Sequence, residues 1–410
     1  MQSNDSFVHP NDVPRSVNVN APGYRASAWL ENTKRANSSS KRWAIIIGLI
    51  IVALIAGGVT AGVLVTRNKD NDSDKKTSTS SGTSNNSGQT SGVVNSDPND
   101  PSVFDKNPAL HQSFWGMCYT PLNVQYPGCG GSQPNVTEDI QILSQLTTRL
   151  RTYGSDCNQT EMILEAIQVT KVNMTVFLGI WIDSPVNETT YARQVNQTFD
   201  ALEKYGTDHV SGLIVGNEYI LMEDPDVDNT AKRTAATTLV VERMADVRNQ
   251  VKAKGYNLPV GTADAGAEIT TDLANGADFI MANIHAYFAG VTVAEAADWV
   301  WSYYEDPDVL AVEKANPAPT LYIAETGWPS AASEANNTGI GGAMYGVPQL
   351  QTFLDTYPCE ANNNGTGWFY FEAFDEPWKE VQYQGVEGFW GLFDSNKNLK
   401  NITLPNCPSS

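Results

Sequence analysis

The sequence predicts an α/β fold: a (β/α)8 TIM barrel over residues 108–410, preceded by a single transmembrane helix and a flexible stalk. Three observations carry that expectation. Apolar, β-prone runs alternate with stretches of helical period through the C-terminal part of the chain, which is the pattern of parallel strands joined by crossover helices. Two of those runs, LIVGNE and LYIAETGWPS, stop at carboxylates, Glu218 and Glu325, as a barrel strand does when it delivers an acid to the open end. An uncharged apolar run at 43–66 has the length of a bilayer-spanning helix.

The strands follow in order. FWGMCYTP begins at Phe114, TTRLRTYG at Thr147, MTVFLGIW at Met174, and LIVGNE closes at Glu218. LPVGTADA starts at Leu258, FIMANIHAYF at Phe279, LYIAETGW carries Glu325, and WFYFEAFDEPW starts at Trp368. Between them, VTEDIQILSQL and AATTLVVERMADVRNQVKAK place apolar residues three and four apart and predict helices. Glu218 and Glu325 are 107 residues apart, close to three βα units, so they fall on strands four and seven.

The remainder of the chain divides into a cytoplasmic tail at 1–42, the signal anchor at 43–66 and a stalk at 67–107. A cleaved signal peptide has a shorter apolar core nearer the start, so a retained anchor is expected. Basic residues flank the span almost equally, Lys34, Arg35, Lys41 and Arg42 before it and Arg67, Lys69, Lys75 and Lys76 after it. Orientation therefore rests on what lies beyond the span. Ten Asn-x-Ser/Thr sequons follow it, at Asn71, Asn85, Asn135, Asn158, Asn173, Asn187, Asn196, Asn336, Asn364 and Asn401, against Asn4 and Asn37 before it. All five cysteines follow it too. These features predict a single-pass type II protein with its N-terminus in the cytoplasm and the barrel on the lumenal, then extracellular, side. The stalk is rich in Ser, Thr, Asn, Gly and Asp and buries too little apolar surface to offset the entropy of ordering.

The net charge of −20 excludes nucleic acid as a natural partner and suits an extracellular domain that handles a neutral polymer. No obligate protein partner is implied. An odd cysteine count leaves one thiol over in an oxidising compartment, and spacing alone leaves the connectivity open. The expected pairs are Cys129–Cys157 and Cys359–Cys407, the second tying down the C-terminal residues, with Cys118 a buried thiol on the first strand. The four histidines are scattered and no cluster has ligand spacing, so no metal and no cofactor is implied.

Two carboxyl groups on facing strands can cleave a glycosidic bond when one is protonated and the other ionised. Asn217 beside Glu218 can bond a sugar 2-hydroxyl or hold its own strand end. His285 and Tyr287 alternate on the sixth strand and orient Glu325, line a subsite or pack. Arg151 and Tyr153 share one face of strand two, in an internal charge network or against sugar. Trp181, Trp328, Phe374 and Trp378 stand at strand exits, where flat faces stack on pyranose rings or on the core. Alternation turns at most one of Glu372 and Asp375 to the pocket.

VGNE at 215–218, AETGWPS at 324–330, RTYGSDCNQ at 151–159 and FEAFDEPWK at 371–379 together resemble glycoside hydrolase family 17, and within it the fungal membrane-anchored endo-1,3-β-glucanases. The resemblance covers all of 108–410. It implies a (β/α)8 barrel acting on 1,3-β-glucan with retention of configuration, held at the plasma membrane and facing the cell wall. By it, Glu218 matches the proton donor, Glu325 the nucleophile, and Glu376 and Lys379 supporting positions on the eighth strand. One departure concerns the sixth-strand His, often followed by Pro in similar sequences; here Ala286 follows His285. The functions in contention are an endo-hydrolase, a transglycosylase using the same two acids, and a non-catalytic wall-binding protein.

Overall fold

The computed structural model describes residues 96–97, 99–225, 229–334 and 339–409. The tail, the apolar run at 43–66 and most of the stalk lie outside them. Among the described residues, no helix is long and apolar enough to cross a membrane.

Eight parallel strands close a barrel: β1 (Gly116–Cys118), β2 (Arg149–Arg151), β3 (Thr175–Ile180), β4 (Val210–Asn217), β5 (Val260–Ala265), β6 (Phe279–Asn283), β7 (Thr320–Thr326) and β8 (Trp368–Tyr370), with β8 pairing to both β7 and β1. The principal helices are α1 (Gln133–Leu143), α2 (Gln159–Thr170), α3 (Glu188–Tyr205), α4 (Tyr219–Glu223), α5 (Thr230–Ala253), α6 (Thr271–Asn275), α7 (Ala296–Tyr303), α8 (Val347–Thr356), α9 (Pro358–Asn364) and α10 (Pro377–Tyr383). Local chemistry sets their ends. Asn187 caps α3 by accepting from the amides of Thr189 and Thr190, satisfying donors that have no partner within the helix.

An aromatic layer fills the barrel: Phe177, Phe279, Tyr322, Phe369 and Trp115 meet mostly edge to face, at centroid distances of 5.3–6.2 Å. Glycine makes room for it. A Cβ on Gly116 would stand 2.5 Å from the Phe369 ring. This packed floor fixes strand positions below the open end.

Cys129 is joined to Cys157 and Cys359 to Cys407, while Cys118 is free and buried on β1. The second bridge fastens the C-terminal segment to α9.

Several expectations shift. Residues assigned to the stalk are structured where they are described: Ser96–Asp97 and Asp100–Phe104 pair antiparallel, and Gln141 Nε2 of α1 donates to Pro101 O at 2.8 Å. The expected boundary at 107 therefore falls inside ordered chain, because backbone pairing and contacts with the barrel's helices supply what composition lacks. β6 ends at Asn283, so His285 and Tyr287 lie in the loop beyond it. β8 ends at Tyr370, which places Glu372 and Asp375 past the strand, Glu376 at the start of α10 and Lys379 within it. Strand alternation does not reach these residues.

Candidate active site

The exits of β2, β4, β6 and β7 contribute side chains to a continuous polar network. Arg151, the last residue of β2, is fully buried, and its Nη1 donates to Glu325 Oε1 at 2.6 Å and to Ala324 O at 3.0 Å. Its Nη2 donates to Asn217 Oδ1 at 2.5 Å. Asn283 Nδ2, at the end of β6, donates to Asn217 Oδ1 at 3.2 Å and to Glu218 Oε1 at 2.9 Å. His285 Nε2 lies 2.9 Å from Glu325 Oε2. An ionised carboxylate can only accept, so Nε2 carries the proton.

Glu218 sits immediately after β4 with φ of 51°, in the left-handed region that a non-glycine residue rarely occupies. Its amide still donates to Ala263 O at 3.0 Å, which holds the turn on β5 while the side chain faces the barrel mouth and Asn283.

The two acids differ electrostatically. Burial acts to raise the Glu325 pKa, but the Arg151 charge and hydrogen bonds from His285 and Tyr153 outweigh it and lower the group to about 2. Burial raises Glu218 above the usual carboxylate value, and the charge of Glu325 adds to the effect, with Asn283, His285 and Arg151 opposing. One site thus holds an ionised and a protonatable carboxyl.

Tyr153 lies over the Arg151 guanidinium at 4.6 Å, and its hydroxyl accepts from Nη1 at 3.4 Å. Of the alternatives for Arg151, the internal charge network is the one present. Lys379 Nζ pairs with Glu372 Oε2 at 2.8 Å and with Glu376, and stands 4.5 Å above the Phe371 ring. Burial and then the Glu376 charge raise the Glu372 carboxyl well above its usual value. Asp375 turns elsewhere, to Lys400 Nζ at 2.6 Å.

The aromatic residues divide. Trp328 is fully buried, its Nε1 donates to Met344 O at 2.8 Å, and its ring stacks on Phe353. No face of it is open to a sugar, because the loop after β7 folds back over the core. Tyr287 is likewise buried, edge-on to Trp328 at 5.5 Å and near Trp390 at 5.9 Å, so it supports the wall behind His285. Trp181, Phe374 and Trp378 are half-buried.

Two residues escaped the sequence reading. Asn283 connects Glu218 to Asn217; as the polar end of the apolar run FIMAN, it carries the signal that marked LIVGNE. Glu387, in the loop after α10, is raised to about 6 by burial, with Lys379 and His285 opposing and the charges of Glu218 and Glu325 adding. No strand or helix periodicity marks that loop. Among the described residues, no group of His, Cys, Asp and Glu could hold a metal ion.

Residues 116–391 match the family described as the BtgE/BtgC glycoside hydrolase domain. The chain is 38% identical over 399 residues to a probable glucan endo-1,3-beta-glucosidase btgC of Aspergillus flavus, with 93% of this chain and 56% of that protein covered. It is 41% identical to the corresponding protein of Aspergillus fumigatus, covering 73% of this chain and 44% of that one. The chain therefore spans about half the length of these curated relatives. Among solved structures, it is similar to a glycoside hydrolase family 17 beta-1,3-glucanosyltransferase from Rhizomucor miehei, at 29% identity and a TM-score of 0.59 over 72% of this chain and 98% of that one. An active-site mutant of a Rhizomucor miehei beta-1,3-glucanosyltransferase in complex with laminaritriose aligns at 28% identity, covering 72% of this chain and 98% of that one, with a TM-score of 0.58.

Proposed function

Since the chain belongs to the BtgE/BtgC glycoside hydrolase domain family, we propose that it cleaves 1,3-β-glucan internally, with retention, by double displacement between Glu218 and Glu325. The observation that carries this reading is the opposed electrostatics of the two acids on one hydrogen-bond network. Glu218, whose affinity for a proton is raised by burial and by the charge of Glu325, gives its proton to the glycosidic oxygen as that bond breaks. Glu325, kept ionised by Arg151, forms a bond to the anomeric carbon. The oxygen of Asn217 is occupied by Arg151 and Asn283, which directs its amide nitrogen to the 2-hydroxyl of the sugar being cleaved. Glu218, now a carboxylate, takes a proton from water, and the water oxygen displaces Glu325 from the anomeric carbon. Each displacement inverts the centre, so configuration is retained. The names of the relatives support 1,3-β-glucan as the substrate.

A second reading, transfer of the glycosyl group to another glucan chain, is favoured by the similarity to glucanosyltransferases. It differs only in what attacks the glycosyl-enzyme. The location proposed is the plasma membrane, with the barrel outside; the apolar run at 43–66, two disulfides, and exposed sequon asparagines at 135, 158, 173, 187, 196 and 401 support it.

Incubation with reduced laminari-oligosaccharides, followed by product sizing and anomer analysis by NMR, tests the reading. Hydrolysis gives only shorter, initially β-configured products, whereas transfer gives products longer than the substrate. Initial α-products, or an unchanged substrate with folded protein, would contradict double displacement on this glucan.

A further inference from the structure

Neighbouring residues on a regular strand point to opposite faces, yet Asn217 and Glu218 both enter the polar network at the barrel mouth. An extra residue makes this possible. Ile214 pairs with Gly261 and Asn217 with Ala263, so β4 carries one residue more than β5 between these rungs, a bulge of the kind that re-aims a side chain. Gly216 supplies the backbone for it with φ of 81°, a conformation open to glycine at no steric cost, and Glu218 follows at 51°.

Three successive residues of β5 hold this irregular exit. The Thr262 hydroxyl donates to Val215 O at 2.7 Å, Ala263 O accepts from the Glu218 amide at 3.0 Å, and the Asp264 carboxyl accepts from amides beyond it. Asp264 Oδ2 takes the Ile220 amide at 2.9 Å, while Oδ1 takes those of Leu221 at 3.2 Å and Ala265 at 3.0 Å. Asp264 is buried, so it acts through the backbone it binds.

The identity of the Ile220 and Leu221 amides matters. α4 starts at Tyr219, so Glu218 is the capping residue of that helix, and a capping side chain with an oxygen ordinarily turns back to accept from the second or third helical amide. Those are the amides of Ile220 and Leu221. The Glu218 side chain makes no such cap. Asp264 makes it instead, which satisfies donors that have no partner within the helix and leaves the Glu218 carboxyl to Asn283.

We propose that Asp264 is a positioning residue for the proton donor: by capping α4 from β5, it removes the competing bond that would draw the Glu218 carboxyl back onto its own helix. The inference rests on the reading of Glu218 as proton donor, and the test keeps the two apart. In the full chain, kcat/KM, which reads the first displacement, is measured on reduced laminaripentaose and on 2,4-dinitrophenyl β-laminaribioside, whose leaving group departs without protonation. Asp264→Ala is expected to lose about 10²-fold on the pentaose and no more than about fivefold on the activated donor. Asp264→Asn, which keeps one acceptor oxygen in place of two, should recover part of the loss with the same selectivity, and thermal melts check the folding of both. Equal loss on the two substrates, or no loss on the pentaose, overturns the role. Glu218→Gln is the control for the reading beneath it: if that variant loses both substrates equally, the donor assignment fails and geometry alone decides the inference. A crystal structure of either Asp264 variant should show the Glu218 carboxyl on the Ile220 or Leu221 amide and away from Asn283. A Glu218 contact with Asn283 still at 2.9 Å would overturn it.

Discussion

Arg151 holds Glu325 with one arm of its guanidinium and Asn217 with the other, at 2.6 Å and 2.5 Å. The ends of β2 and β4, which flank β3, and the ends of β2 and β7, which have β1 and β8 between them around the closed barrel, are thereby fixed through a single planar group. The fork matters because lysine has the charge without the geometry. The charge keeps Glu325 ionised, and the geometry sets Asn217 next to Glu218.

Arg151→Lys is expected to lower kcat/KM by about 10²-fold or more, since a preorganised contact at the developing charge is lost. The pH dependence gives the sharper readout. Glu325 has a folded pKa near 2, below its unfolded value of about 4.3, so its ionised form stabilises the fold above the unfolded value and that contribution disappears as pH falls towards 2. With lysine in place, the acid limb of kcat/KM and the midpoint of acid unfolding should both move to higher pH. An unmoved acid limb in folded protein would show that Arg151 does not set the ionisation of Glu325.

Asn283→Ala should move the other limb. The Asn283 amide donates to Glu218 and stabilises its ionised form, so removal leaves a pKa already raised by burial higher still. If Glu218 must be protonated to act, the basic limb shifts upward while activity at the optimum falls through the loosened Asn217. A basic limb that moved down would contradict the role of this contact.

The two carboxylates were legible because each ends an apolar run, a pattern set by strand burial and not by distant contacts. An internal charge network at Arg151 was legible only as one of two options, and its partner Glu325 was not, since residues 174 positions apart show no pairing in local sequence. Asn283 carried the same strand-end signal as Glu218 in weaker form. The burial of Trp328 was not legible: an aromatic residue after a strand reads alike whether the next loop leaves it open or, as here, offers Met344 O to its indole. His285, Tyr287, Glu376 and Lys379 were assigned to strands that end earlier, because apolar runs continue into packed loops without a change in composition. Glu387 lies in such a loop and had no local signal.

Cys359 and Cys407 close a separation of 48 residues, for which the loop-entropy account gives about 2–4 kcal/mol. Cys359→Ser and Cys407→Ser should lower Tm by similar amounts, and the double variant by no more than either. Cys118→Ala removes only a buried thiol bonded to Ala324 O at 3.3 Å and should cost less. Peptide mapping without reduction checks the assignment, and a Cys118 crosslink would contradict it.

The proposed location predicts that protease added to intact protoplasts removes the barrel and leaves a short N-terminal fragment bearing the run at 43–66. Protection of the barrel until the membrane is permeabilised would reverse the orientation.

The most direct measurement of the central claim is the site of covalent attachment by a 2-deoxy-2-fluoro laminaribiosyl donor with a good leaving group, which slows hydrolysis of the glycosyl-enzyme more than its formation. Mass spectrometry of the intact chain and its peptides should find one adduct, on Glu325 within LYIAETGWPS, and none on Glu325→Gln. An adduct on Glu387 or Glu218, or turnover of this donor with no adduct at all, would contradict the account.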